Sequence, residues 1–315
     1  MIASRFLPGF LASTLAFSGA CLVGQGGASE FHTRGAGPGT RAWLASFRRA
    51  SQAAAQLETF RSHSALSLTG GTGGAAPPVA SSRQATEKAE KKMSPYTSNL
   101  RTTSQFSREE FVPDGNLDKP VWKKARWVKF DHDASGQRHF PQAETQVASL
   151  WTATNVYFAF RCHYSTLNIY EGEDPARERW ELWNRDVAEV FLNPQPERVN
   201  HYYEFEVAPN NQWIDLEIDL DKTPMNDAAW NSGFEHATRV DAQKKVWSCE
   251  MRIPLRALGV RRMEPNSEWR INFYRCDGPS DETERRFLAW STIPGEKPSF
   301  HVPTRFGLIR FVQER

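Results

Sequence analysis

Two stretches decide the fold class: Asn155-Val156-Tyr157-Phe158-Ala159-Phe160-Arg161-Cys162 and Ile214-Asp215-Leu216-Glu217-Ile218-Asp219-Leu220. In each stretch an apolar side chain returns at every second position, which places those side chains on one face of an extended strand. The intervening residues of the second stretch are acidic, so we expect its other face to be wet. The same alternation, with Pro, Gly, Asn and Asp between the repeats, occurs at residues 203–207, 247–253, 269–273 and 306–311.

This pattern predicts an all-β domain. Many short strands with one apolar face each predict two antiparallel sheets packed face to face, a β-sandwich of the jelly-roll or immunoglobulin-like type. The body of the chain, residues 93–315, is long enough to bury one core. No stretch approaches the roughly 20 apolar residues of a membrane helix, so we expect no membrane span.

Composition separates this body from what precedes it. Residues 93–315 hold 10 of the 11 tryptophans and all 7 tyrosines, with 29 basic and 33 acidic side chains. Residues 1–92 hold 12 of the 20 glycines, with 10 basic and 4 acidic side chains. The excess of basic residues therefore lies in a segment with too few apolar residues to fold into a binding surface. For this reason we expect no nucleic-acid partner.

The first 92 residues bear on localisation. Residues 1–28 resemble a secretory signal, with a small-residue cleavage site near Ala20 or Ala28 and a weaker lipoprotein alternative at Cys21. Residues 29–92 are of low complexity and are expected to be disordered; they are also arginine-rich and acid-poor, like a transit peptide. A third alternative is that translation starts at Met93. The first alternative predicts a secreted or cell-envelope protein, and the last predicts a cytoplasmic one.

One acidic residue stands out against the alternation. Glu189 shares a strand face with Val187 and Phe191. A carboxylate on an apolar face is costly unless it is paired or faces a wet cleft. Glu189 is therefore a candidate site residue, and the alternative is a structural acid paired with Arg275.

The other reactive side chains form no known motif. Cys162, Cys249 and Cys276 lack zinc spacing, which favours buried thiols, or one disulfide if the protein is exported. The body histidines have neither His-x-x-x-His spacing nor a cysteine partner. Acidic residues at alternate positions of a strand usually form its solvent-exposed face. Calcium binding and glycoside hydrolysis are the alternative interpretations. These acids are Asp215, Glu217, Asp219 and Asp221, and Glu204 and Glu206 could line a face of another strand in the same way.

Aromatic residues also fall outside the alternating pattern. Trp180 and Trp183 lie in a polar stretch, and Phe300 lies in a loop-like segment. Aromatic rings beside a carboxylate suit sugar recognition, because the ring contacts the C–H face of a pyranose while the carboxylate binds its hydroxyls.

Short motifs along the body resemble the carbohydrate-binding module family 9 domain. The first is Asp114-Gly115-Asn116-Leu117-Asp118-Lys119-Pro120-Val121-Trp122, which resembles the opening of that domain. Six more follow in the family's order, so that the resemblance covers residues 106 to 312. They begin at Leu150, Trp183, Tyr203, Glu250, Arg270 and Phe300.

The resemblance implies a β-sandwich related to DOMON domains, structural Ca²⁺ in many members and no required cofactor. It also implies a mono-, oligo- or polysaccharide partner that is bound at a chain end between two aromatic rings. The implied biological role is carbohydrate catabolism. The rings fall on Trp183 and Phe300, and the acidic contact falls on Glu189. Glu206 stands where the family has an arginine and Tyr274 where it has a glutamine, so Arg275 is the expected replacement for the positive charge.

The expected function is thus non-catalytic carbohydrate binding, and two alternatives remain open. A haem-binding redox module, as in related DOMON-like domains, needs an axial ligand such as Met251 or Met263 together with a histidine. However, Met251 lies on an apolar strand face and is expected in the core. A glycoside-active enzyme would use Asp215, Glu217 or Glu189.

Overall fold

The computed structural model describes residues 94–227, 229–279, 284–295 and 299–313, and the predictions for residues 1–28 and 29–92 lie outside them. The all-β prediction is confirmed. The strands are β1 (Arg101–Phe106), β2 (Val128–Phe130), β3 (Thr145–Trp151), β4 (Asn155–His163), β5 (Val187–Asn193), β6 (His201–Val207), β7 (Trp213–Asp219), β8 (Asn226–Asp227), β9 (Glu235–Asp241), β10 (Val246–Pro254), β11 (Glu268–Asp277), β12 (Arg286–Ala289) and β13 (Gly307–Val312). Short 3-10 helices span Pro120–Lys124, Pro141–Ala143, Leu182–Asn184, Leu255–Leu258 and Pro303–Arg305.

The strands form one hydrogen-bonded path rather than the two separate sheets expected. The order is β8-β7-β6-β5-β11-β13-β1-β3-β4-β10-β9, with β12 added to β11 and β2 added to β3. Strand β1 joins the two halves of the path, because it pairs with both β13 and β3, and both pairings are parallel. The expectation of purely antiparallel pairing is therefore wrong at this seam.

A central core packs the two halves of the path against each other, as a sandwich does. The predicted inward faces of β4, β6, β10 and β11 all contribute to it. Phe158 and Phe160 of β4 meet Phe273 of β11, with ring centroids 5.9 and 6.0 Å apart. The alternation read from the sequence is confirmed on these strands, and Met251 lies in this core as expected.

Each half also buries part of its outer face. The outer cluster on β5, β6, β7 and β11 contains Ile214, Leu216 and Ile218, as the alternation predicts. The opposite face of β7 is not uniformly wet, however. Asp215 is 0% exposed, and its carboxylate accepts hydrogen bonds from the backbone N–H (2.8 Å) and the hydroxyl of Ser232. The chain after β8 therefore covers the start of β7.

The Asp114–Trp122 motif binds one buried carboxylate of β10. Glu250 Oε2 accepts hydrogen bonds from the backbone N–H groups of Asp114 (2.8 Å) and Gly115 (2.9 Å) and pairs with Lys119 Nζ (2.6 Å). Its Oε1 accepts a hydrogen bond from Trp122 Nε1 at 2.6 Å. The motif thus attaches the segment before β2 to the outer face of the β3-β4-β10 half.

Two further expectations concern cysteines and membranes. The described cysteines, Cys162, Cys249 and Cys276, are free and buried, as the buried-thiol interpretation predicts. Among the described residues, none of the helices has the length and apolar content needed to cross a bilayer.

Candidate functional site

The outer face of β5, β6 and β11 carries three carboxyl groups in contact range. Glu189 of β5 lies directly opposite Glu206 of β6, and Glu204 projects from the same face two positions earlier. One carboxyl oxygen from each lies within 4.8 Å of the others. The three residues, called the acid trio below, are 1%, 0% and 4% exposed for Glu189, Glu206 and Glu204.

Burial favours the neutral form of the acid trio. It raises the pKa of Glu204 to about 7, and burial together with the charge of Glu204 raises the pKa of Glu189 to about 8. The pKa of Glu206 is raised well above its usual range by burial and by both neighbouring carboxylates. The trio therefore retains at least one proton at neutral pH, and it offers hydrogen-bond donors as well as acceptors.

Part of this hydrogen-bonding capacity is unused. Cys276 Sγ lies 3.1 Å from Glu189 Oε1. Within the described residues, both carboxyl oxygens of Glu206 and Oε2 of Glu204 lack a donor of good geometry. The neighbouring Glu204 carboxyl contributes to the raised pKa of Glu206.

An aromatic pair covers the β11 side of this face. Phe300 stacks on Tyr274, with ring centroids 4.0 Å apart and planes 14° apart. The Tyr274 hydroxyl donates to the Phe300 carbonyl oxygen at 2.9 Å, and Tyr274 lies directly opposite Glu189 in the strand pairing. Phe300 is half-buried. Because Tyr274 covers one face of its ring, only the other face could contact a ligand.

Trp183 stands at the start of the same face. It belongs to the 3-10 turn before β5, is half-buried, and packs edge-to-face on Trp180 with ring centroids 5.1 Å apart. Trp180 is 44% exposed. Arg285 Nη2 donates to the Trp183 carbonyl oxygen at 3.1 Å, which attaches this turn to the segment before β12.

Sequence comparison places these features in a known family. The family model described as carbohydrate family 9 binding domain-like matches residues 112–314, which is most of the chain. The chain belongs to this family.

Individual relatives are distant. An "Extracellular protein" of the fungus Arthroderma benhamiae is 24% identical over 199 residues, which are 59% of this chain and 85% of the relative. A Bacteroides uniformis structure, described as a protein proposed to bind carbohydrate, is 18% identical with a TM-score of 0.54 and covers 68% of this chain and 100% of its own. That likeness shows the fold. A family 9 module of Caldicellulosiruptor kristjanssonii, solved with cellotriose, is 16% identical with a TM-score of 0.49, covering 69% of this chain and 95% of its own.

Most of the residues predicted to contact sugar lie on one face. Trp183 and Phe300 pack against the same outer cluster, and Glu189 and Glu206 project from that face. Tyr274 also lies there, but it is fully buried beneath Phe300 and its hydroxyl is bonded to a backbone carbonyl. Glu189 does not face a wet cleft, since it is 1% exposed. The roles of these residues in sugar binding remain predictions.

Arg275 is the exception. Strand alternation puts it on the opposite face from Tyr274, in the central core, where it is 0% exposed. Its guanidinium pairs with Asp277 at 2.9 Å and lies over the ring of Trp247. The ion pair of Arg275 is thus with Asp277 rather than with Glu189, so the expected pairing is wrong. Its charge still lowers the pKa of Glu189 from the core side, and its role in sugar binding stays a prediction.

Other residues of the face were not singled out from the sequence. The Tyr202 hydroxyl is hydrogen-bonded to His301 Nδ1 at 2.7 Å, and burial lowers the pKa of His301 to about 4, which keeps the imidazole neutral. Cys276 and Arg285 lie next to the acid trio, and the charge of Arg285 lowers the pKa of Glu189. Glu204 differs from these residues, because its two-residue spacing from Glu206 predicts that both acids line one face, as they do.

The four acids proposed for calcium have separate partners. Asp215 binds Ser232, Glu217 Oε1 lies 2.7 Å from His201, and Asp219 pairs with Lys222 at 3.2 Å. Asp221 Oδ1 accepts a hydrogen bond from Asn200 at 2.7 Å. These carboxylates are thus held by different donors rather than around one point. Calcium binding elsewhere in the domain stays a prediction.

The residues named for haem ligation and for glycoside hydrolysis are engaged in structural contacts. Met251 is enclosed in the core, and the Met263 sulfur accepts a hydrogen bond from the Ser267 hydroxyl at 3.2 Å. Asp215 and Glu217 are held by Ser232 and His201 as described, so each acid has a structural partner.

Proposed function

We propose that this domain binds carbohydrate without catalysing a reaction on it, through the outer face of β5, β6 and β11. The observation that carries the proposal is the position of Trp183 and Phe300. Both rings are half-buried and pack on the outer cluster, on the face from which the acid trio projects. Apolar ring faces contact the C–H face of a pyranose, and carboxyl groups bind its hydroxyls. Membership of family 9 supports the same ligand class.

In this proposal a sugar ring or chain end lies between Trp183 and Phe300. Phe300 offers the ring face that Tyr274 leaves free, and Trp183 is held in place by its contact with Trp180 and by the bond from Arg285. Preorganised rings reduce the entropy that binding must remove. We expect this binding to serve carbohydrate catabolism.

Glu189 is the proposed hydrogen-bonding carboxyl. Because it is 1% exposed and lies opposite Tyr274, a sugar hydroxyl reaches it only after the side chains that surround its carboxyl move. The raised pKa of Glu189, about 8, allows its carboxyl to donate as well as accept at neutral pH.

The test is calorimetric titration of the full chain with a panel that includes glucose, cello-, xylo- and galacto-oligosaccharides. Loss of one stacked ring in Trp183→Ala should weaken binding by about tenfold or more, since aromatic platforms contribute on the order of 1–3 kcal/mol. Trp127→Ala is the matched control, because Trp127 is also half-buried but packs on the other outer cluster. Absence of binding to every sugar, or equal affinities of the two variants, would contradict the proposal.

We also propose that the protein is exported, which the name of the Arthroderma relative supports. The measurement is mass spectrometry of the N-terminus of the protein from its native cells. A terminus after Ala20 or Ala28 agrees with export through a cleaved signal, whereas a terminus at Met93 contradicts it.

A further inference from the structure

A second group of ligand-type side chains lies outside the acid trio. It consists of Asp131, His132 and His139, with one ligand atom from each within 4.8 Å of the others. Asp131 Oδ1 lies 3.0 Å from His132 Nδ1, and Asp131 Oδ2 lies 2.7 Å from His139 Nε2. One carboxylate thus contacts two imidazoles, each through a different oxygen.

The local backbone brings the two imidazoles together. His132 and His139 are opposite each other in an antiparallel bridge, and such pairs hold their Cβ atoms about 4.5–5.5 Å apart. Phe140 N donates to Asp131 O at 2.7 Å, which closes the hairpin on one side of the bridge. The imidazole centroids are 4.8 Å apart.

The hairpin is fixed before any ligand arrives. Asp133 Oδ1 accepts hydrogen bonds from the Ser135 hydroxyl and the Gln137 backbone N–H, both at 2.9 Å. Ala134 N donates to the carbonyl oxygen of Phe287 in β12 at 2.6 Å, and Ala134 is 1% exposed. A ligand bound at the histidines therefore does not have to order the loop.

The donor set selects the kind of ligand. Two imidazole nitrogens and one carboxylate oxygen suit borderline divalent ions such as Zn²⁺, whereas Ca²⁺ and Mg²⁺ prefer oxygen donors alone. Zinc bonds of about 2.0–2.2 Å put neighbouring ligand atoms roughly 3–3.5 Å apart. The observed separations of 2.7 and 3.0 Å are shorter than this, so zinc binding would replace these two contacts and move the imidazoles outward.

Access from solvent is direct. The side chains of His132 and His139 are 51% and 54% exposed, and that of Asp131 is 18% exposed. We propose that Asp131, His132 and His139 form a Zn²⁺-binding site with three protein ligands, whose remaining coordination positions are filled by water. None of the three belongs to the acid trio or to the proposed sugar-binding rings. The zinc-site proposal can therefore be tested independently of carbohydrate binding.

The experiment titrates Zn²⁺ into the full chain by calorimetry, in a background that removes potential ligands outside the described residues (Cys21→Ser, His32→Ala, His63→Ala). We expect one Zn²⁺ per chain, and a loss of at least tenfold in affinity in each of His132→Ala, His139→Ala and Asp131→Asn. His163→Ala is the matched control and should bind as the background does. Mg²⁺ and Ca²⁺ should not compete for the site.

Thermal denaturation gives a second readout. Zn²⁺ bound only to the folded chain raises its melting temperature, and we expect this rise in the background and in His163→Ala but not in His139→Ala. Because His139 is more than half exposed, its loss should leave the metal-free melting temperature nearly unchanged. Absence of Zn²⁺ binding, or binding unchanged by the His132 and His139 substitutions, would overturn the proposal.

Discussion

Glu189 and Glu206 lie directly opposite each other across β5 and β6, and both side chains are excluded from solvent. Like charges at such a position repel strongly, so the pair is stable only while protons remain on the acid trio. This makes proton binding part of the stability of the fold, and it also sets the charge that a ligand on this face would meet.

Stability should therefore fall as pH rises. The folded-state pKa values of Glu189 and Glu204 are raised to about 8 and about 7 from 4.5, so their contribution is complete below pH 4.5 and is lost as pH rises through 7 and 8. Glu206→Gln removes one charge of the trio. In urea unfolding at pH 5, 7 and 9, we expect this variant to lose less stability than the parent, by about 1 kcal/mol or more at pH 9.

Glu144→Gln serves as the control for that measurement. Hydrogen bonding from Gln146 and pairing with Lys129 lower the pKa of Glu144, so its contribution is lost only as pH falls below its usual range. It should leave the decline between pH 5 and 9 unchanged. A loss of stability between pH 5 and 9 that is as large in Glu206→Gln as in the parent would contradict the prediction.

The Phe300 ring should matter for ligand binding beyond its packing. Phe111 stacks on Tyr157 in the same manner as Phe300 on Tyr274, with centroids 4.2 Å and 4.0 Å apart respectively. We expect Phe300→Ala to weaken sugar binding about tenfold or more in calorimetry, and Phe111→Ala to leave it unchanged. A loss of affinity of the same size in both variants would indicate that the effect acts through stability alone.

Gly115 should be required by the contacts of its turn. It has a φ of +75°, and a Cβ there would lie 2.8 Å from both the Arg239 side chain and the Thr238 carbonyl carbon. Gly172 has a φ of +73° with no atom within 4 Å of such a Cβ. In urea unfolding, Gly172→Ala should cost about 1 kcal/mol from backbone strain, and Gly115→Ala should cost clearly more. Equal losses would mean that the turn relaxes around the new methyl group.

The buried thiols should be unreactive. Burial raises the pKa of Cys162 to about 12 and those of Cys249 and Cys276 well above their usual range, and the thiolate is the reactive form. In a Cys21→Ser chain, a thiol-specific colour reagent should find no reactive thiol before unfolding and three after it. Rapid labelling of the native protein would contradict the burial of these residues.

The sequence predicts strand faces well where one face is simply apolar. Phe158, Phe273 and Met251 lie in the central core as the alternation requires, and Glu189 shares its face with Val187 and Phe191 as read. Alternation alone does not say whether the opposite face meets water. Glu189 is 1% exposed, and its contact at 3.1 Å is with Cys276 of β11, a strand distant in sequence that no local pattern predicts.

Residues brought together by the fold were harder to foresee. Arg275 was expected beside Glu189, but neighbouring positions of a strand point to opposite faces, and that put it in the core with Asp277. His132 and His139 are seven residues apart, a spacing typical of no metal motif. Only the hairpin that closes between Asp131 and Phe140 makes them neighbours.

Strand β1 is the seam between the two halves of the sheet, and it pairs there with the last strand, as at Arg101 and Leu308. During synthesis, β1 leaves the ribosome before the other described strands. Its edge that pairs with β13 stays unpaired until β13 has been translated. Such a long-range closure is slow and leaves an open edge meanwhile. The two halves of the sheet can therefore close on this side only once β13 is available.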